Sequence, residues 1–136
     1  IWTSSGTSDS EASDGLSMSV SSALAEANFV VFGNNNDDTG TTSSSLSGIS
    51  KRSKREWNFD EKGTVTADIK IDISDATGHS GSVSAASNYK LLFKTCEFCN
   101  FLELETGDSV SGDVITFSSV AIQDGIYSIA SADSNL

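Results

Sequence analysis

From residue 65 to residue 73 the chain alternates without interruption. Val65, Ala67, Ile69, Ile71 and Ile73 fall on one side, and Thr66, Asp68, Lys70 and Asp72 on the other. Successive side chains of an extended strand point to opposite faces, so this segment buries one face and wets the other. A helix of 3.6-residue period would scatter the same apolar residues around its circumference. A strand with one wet face calls for antiparallel neighbours and for a second layer that covers its apolar side.

The rest of the chain supplies both. Leu16, Met18 and Val20 alternate with Ser17, Ser19 and Ser21, and residues 27–33 form an apolar run of strand length that ends in Asn34-Asn35-Asn36-Asp37-Asp38-Thr39-Gly40, a dense turn signal. Residues 56–60 alternate around Trp57 and Phe59. Residues 89–93 and 101–104 read as strands on either side of a cysteine pair, and residues 114–117 and 126–129 flank the turn Asp124-Gly125. Eight short strands are expected. Only residues 21–28 read as a short helix, and no strand-helix alternation builds a parallel sheet. The expected fold is an all-β, antiparallel β-sandwich over residues 15–136, immunoglobulin-like or jelly-roll in type. At 136 residues there is one core. Residues 3–14 carry no large apolar side chain, so residues 1–14 are read as an extended Ser/Thr-rich arm in which only Ile1 and Trp2 offer apolar surface.

Charge narrows the partners. A formal net charge of −11, with eight Lys and Arg against 19 Asp and Glu, excludes a nucleic-acid binder, because phosphate recognition needs basic surface. No apolar run approaches the roughly 20 residues that span a bilayer, so no membrane span is expected. The 27 Ser and 11 Thr outnumber all charged residues, a composition common on exported proteins. The chain opens at Ile1 with no basic-then-apolar leader, and a removed export signal is expected. An extracellular or cell-surface location follows as the expectation. There is no N-linked glycosylation sequon.

Several constellations invite chemistry. Cys96-Glu97-Phe98-Cys99 has the spacing of thiol oxidoreductases and of half a zinc knuckle. The redox role needs a helix N-terminus, and zinc needs four ligands where the chain offers two Cys and the lone His79, so a zinc site would have to be shared between chains. A disulfide between Cys96 and Cys99 at a hairpin tip is the preferred reading. Asp38-Thr39-Gly40 matches the aspartic-protease triplet but sits among Asn, Asp and Ser, in a solvated loop. Gly78-His79-Ser80-Gly81-Ser82 approximates a nucleophile elbow without the strand-turn-helix context or a separate base. Asn34, Asn36 and Asp38 alternate as calcium ligands do, but the loop lacks the Gly and Glu of an EF-hand, so they stand as weak calcium candidates. Lys51-Arg52-Ser53-Lys54-Arg55 holds half of the positive charge and is read as a charged strand edge that resists wrong pairing. Trp2, Trp57 and Tyr127 are stacking candidates for a glycan wherever they are exposed.

Four segments, Phe29-Val30-Val31-Phe32-Gly33-Asn34-Asn35, Arg52 with Arg55-Glu56-Trp57, Gly63-Thr64-Val65-Thr66, and Val110-Ser111-Gly112-Asp113-Val114-Ile115-Thr116-Phe117 with Asp124-Gly125-Ile126-Tyr127, carry a family resemblance. Between about Leu16 and Ile129 the chain resembles an uncharacterised β-sandwich module found toward the C-terminal side of large secreted bacterial surface proteins, often after a laminin-G-like lectin domain. The resemblance implies an exported, assembled context and no known activity. It departs from the family at residues 95–100, where an acidic Asp-Gly hairpin is replaced by the cysteine pair. The expected function is a structural or adhesive surface protein without catalytic residues, self-associating into a filament by donation of the arm that carries Ile1 and Trp2. The alternative is a module that binds glycans or calcium. No other cofactor is assigned.

Overall fold

The computed structural model describes residues 10–12, 15–36 and 39–136. Ile1 and Trp2, the expected anchors of the arm, and Asp38, the third calcium candidate, lie outside the described residues. Among the described residues twelve strands form two antiparallel sheets. Their ranges are β1 Ser10–Ala12, β2 Leu16–Ser19, β3 Phe29–Asn34, β4 Thr41–Ser43, β5 Lys51–Ser53, β6 Trp57–Lys62, β7 Thr66–Asp72, β8 Tyr89–Lys94, β9 Leu102–Thr106, β10 Ser109–Ser111, β11 Val114–Ala121 and β12 Gly125–Ser131. The first sheet runs β1-β2-β7-β11-β10. In the second, β12 pairs with β8 on one side, β9 lying beyond it, and with β6 and β5 in turn on the other, where β3 and β4 form the margin.

The eight expected strands are present. The four additional ones, β1, β4, β5 and β10, have three residues each, too few to show an alternation. Ser10–Ala12, inside the expected arm, pair with β2 of the same chain as the margin of the first sheet. Strand β7 is the centre of that sheet: Ile69 lies in register with Met18 of β2 and Phe117 of β11, and Ile71 with Leu16 and Ile115. All six side chains are fully buried, and these cross-strand pairs are the unit of sheet stability.

The second sheet faces this layer with a row of aromatic rings. Tyr127 stands in register between Trp57 and Phe93, and the ring centroids run Phe32 to Phe59 at 5.3 Å, Phe59 to Tyr127 at 4.6 Å and Tyr127 to Phe93 at 5.0 Å. Tilted pairs at such spacing add about 0.5–1.5 kcal/mol each beyond burial. The Tyr127 hydroxyl accepts a hydrogen bond from the Gln123 amide at 3.0 Å, a loop-to-strand tie of the kind sandwich folds use at their corners.

The helix lies elsewhere than expected. Residues 21–28 form bends, turns and irregular backbone, and among the described residues the one α-helix, α1 (Ile73–Thr77), follows β7 directly. Asp72 caps it, its carboxylate accepting from the amides of Ser74 and Asp75, and Gly78 ends it in the left-handed conformation at φ 76°. Ile73 thus ends the alternation and starts the helix, and it is buried.

Two irregularities shape the sheets. In β11 the register with β7 shifts between Phe117 and Val120, where Ser119 adopts φ 53°. The freed amides of Ser118 and Ser119 donate to the carboxylates of Asp108 and Asp68, at 2.7 and 2.8 Å. Along β12, β5 and β6 are one line broken at residues 54–56. The buried Ser128 hydroxyl fills the break, within hydrogen-bonding distance of the carbonyls of Ser53 and Arg55. The basic cluster is therefore no strand edge: β5 is paired on both sides, by β12 and by β4, and Arg55 is buried with its guanidinium donating to the Asp75 carbonyl of α1.

Candidate functional site

Strand β8 buries both of its faces. Tyr89, Leu91 and Phe93 enter the main core, and Leu92 faces the other way to form a small second cluster with Ile49 and Ala130, packed by Leu46 and Phe101. An outer face covered in this way needs a polar finish, and Lys94, two residues beyond Leu92 on the same face, supplies it. Its ammonium donates to Glu56 Oε1 and Oε2 at 3.2 and 3.0 Å and to the Glu97 carbonyl at 3.0 Å. Glu56 is shared, because Arg52 Nη1 reaches Oε1 at 3.3 Å while donating to the Ser53 carbonyl at 2.8 Å. Both cations lie against Phe101, Lys94 Nζ at 4.5 Å and Arg52 Cζ at 5.0 Å from the ring centroid. With the Lys94 and Glu56 side chains 8% and 16% exposed, the pair is largely shielded from water and from salt.

Beside this cluster lies a cavity of about 600 Å³ whose lining includes Arg52, Lys94, Phe101, Asn100 and the Ser43-Ser44-Ser45 run. A second cavity, of about 350 Å³, opens across Glu56 and is lined by Asn34, Asn35, Asn58 and Glu97. The turn between β8 and β9 separates them. There Cys96 and Cys99 are joined by a disulfide with 5.1 Å between their Cα atoms, and the Cys99 amide donates to the Cys96 carbonyl at 3.1 Å, closing a four-residue loop. At its tip Phe98 is 93% exposed, and Leu102 just beyond is 65% exposed. A side chain between two cysteines three apart has no room to fold inward, which is the signal in the sequence that Phe98 must face out.

The other expected residues disperse. Asn34 and Asn36 meet in a local turn, Asn34 Oδ1 accepting from the Asn36 amide at 2.6 Å, and Asn35 holds the Glu56 amide at 3.1 Å. Among the described residues no group of three or more His, Cys, Asp or Glu side chains is placed to hold a metal ion. Trp57 and Tyr127 are fully buried, so neither presents a ring to a glycan. His79 Nε2 is 2.9 Å from the Ser82 carbonyl in its own loop, in no strand-turn-helix setting. No helix of the described residues is long and apolar enough to cross a membrane.

Fold and face together define a disulfide-braced antiparallel β-sandwich module. A family model, described as Domain of unknown function (DUF8202), matches residues 4–126, and the chain belongs to that family. No curated protein and no solved structure matches the chain.

Proposed function

We propose that the chain is a non-catalytic structural or adhesive module of an extracellular surface protein, and that it binds a further copy of itself through the tip that carries Phe98. The observation that carries this reading is a fully exposed aromatic side chain on a covalently closed loop. Burying a phenylalanine in a partner is worth about 1.5–3 kcal/mol, and a loop already fixed by its disulfide loses little further freedom on binding. Aromatic anchors of this kind dominate interface energetics. The disulfide and the hydroxyl-rich, lysine-poor composition agree with an oxidising, exported setting.

A second reading is exchange of the arm between copies. It is favoured by the position of Ser10–Ala12, a three-residue marginal strand whose pairing with β2 can be made equally by another chain. One experiment separates the two: clumping of protein-coated beads, with sedimentation velocity, for the native protein, Phe98→Ser and a chain lacking residues 1–14. Loss in Phe98→Ser alone supports the tip, and loss in the truncation alone supports strand exchange. A native protein that stays monomeric and unclumped at millimolar concentration refutes both.

A further inference from the structure

We propose that the cavity beside Phe101 binds an anionic saccharide, carboxylated or sulfated. Its lining holds Arg52 and Lys94, two of the chain's eight cations, and none of its 19 carboxylates. Glu56 lies behind both cations and balances one of them, so the site keeps one unit of positive charge on a chain of net charge −11. At physiological salt the Debye length is about 8 Å, so the distant acidic residues are screened and the local cation decides. Lys94 is spent on Glu56 and the Glu97 carbonyl. Arg52 is not: only its Nη1 is bonded among the described residues, and its remaining N–H groups form the planar fork that suits carboxylate and sulfate oxygens.

The remainder of the lining matches a sugar. Ser43, Ser44, Ser45 and Asn100 bring hydroxyls and an amide that pair with ring hydroxyls, while Leu46 and Phe101 offer apolar surface to the C–H face. A volume of about 600 Å³ suits an oligosaccharide of a few units. The walls at Arg52 and Cys99 are held before any ligand arrives, because Arg52 sits on a strand paired on both sides and against the Phe101 ring, and the Cys96–Cys99 bond anchors Cys99. The site is independent of the Phe98 tip, and Phe98→Ser should leave it unchanged.

The test is calorimetric titration with trigalacturonate, a sulfated neutral trisaccharide and maltotriose. Binding of at least one charged probe should be tenfold or more tighter than that of maltotriose and should weaken with salt; comparison of the two charged probes assigns the anion. Arg52→Gln should lose tenfold or more. Because that change touches the Glu56 cluster, Ser45→Tyr, which fills the cavity mouth from an exposed position, provides a second loss with unchanged melting temperature. Equal binding of maltotriose, no binding of either charged probe at millimolar concentration, or full binding by the Ser45→Tyr protein overturns the proposal.

Discussion

Tyr127 makes alkaline pH a probe of the core. Burial pushes its hydroxyl from the ordinary 10 up to about 12, opposed by its bond to the Gln123 backbone and reinforced by the nearby Glu61 and Asp124 charges. The sign follows from proton binding. Above pH 10 the unfolded chain releases the tyrosine proton while the folded chain keeps it, so stability falls as pH rises, and the loss is complete only above about pH 12. With those two values the unfolded state gains about 1.4 kcal/mol by pH 11 and about 2.7 kcal/mol in the limit. The Tyr127→Phe protein retains the ring contacts with Phe59 and Phe93 and lacks the proton. Urea unfolding of both proteins at pH 8 and pH 11 isolates the effect, since the titrations of lysines and other groups are common to both. The native protein should lose about 1.4 kcal/mol more than Tyr127→Phe between the two pH values. Equal losses would mean that Tyr127 ionises freely in the folded state, and would refute the burial of its hydroxyl.

Three further outcomes are expected. Replacing Cys96 and Cys99 together by Ser should cost about 2 kcal/mol in urea unfolding, the chain-entropy value for a four-residue loop, and mass analysis after alkylation without reductant should find no labelled thiol in the native protein. Gly125→Ala should destabilise by about 1–3 kcal/mol in thermal unfolding, because its φ is 151° and a Cβ there would lie 2.5 Å from Phe93 Cε2 and 2.6 Å from the Lys94 carbonyl. Asp133 accepts hydrogen bonds from Ser84, Ser131 and the Asn135 amide, which hold its carboxyl below the usual carboxylate range. The stability it contributes is present at neutral pH and is lost as pH falls below about 4 through the lowered value, so the native protein's advantage over Asp133→Asn should close on acidification.

The long strands were legible because their cores lie on one side. Residues 65–73 alternate since β7 is covered on one face only, and Leu16, Met18 and Val20 repeat the pattern. Residues 89–93 carry less of it, because β8 is covered on both faces and Leu91, Leu92 and Phe93 are all apolar and buried. The short α1 was hidden by its own start: Ile73 continues the period-two pattern, and only the Asp72 cap and Gly78 mark the helix. The Cys96–Cys99 bond follows from spacing. The Arg52, Glu56, Lys94 and Phe101 cluster does not, since it joins two distant segments, 52–56 and 94–101, and depends on the break between β5 and β6.

Strand β12 pairs with β8 from Ile126 to Ser131 and with both β5 and β6 opposite, yet all three precede it in the chain. During synthesis the second sheet therefore has no spine until residues 125–131 have emerged, and every pairing they make is long in sequence, the kind that closes slowly. Translation leaves the second sheet open until residue 131 has emerged, and it then closes cooperatively around one strand. In amide exchange β12 and the central β7, each paired on both sides in the folded protein, should exchange last, and the three-residue margins β1, β4 and β10 first.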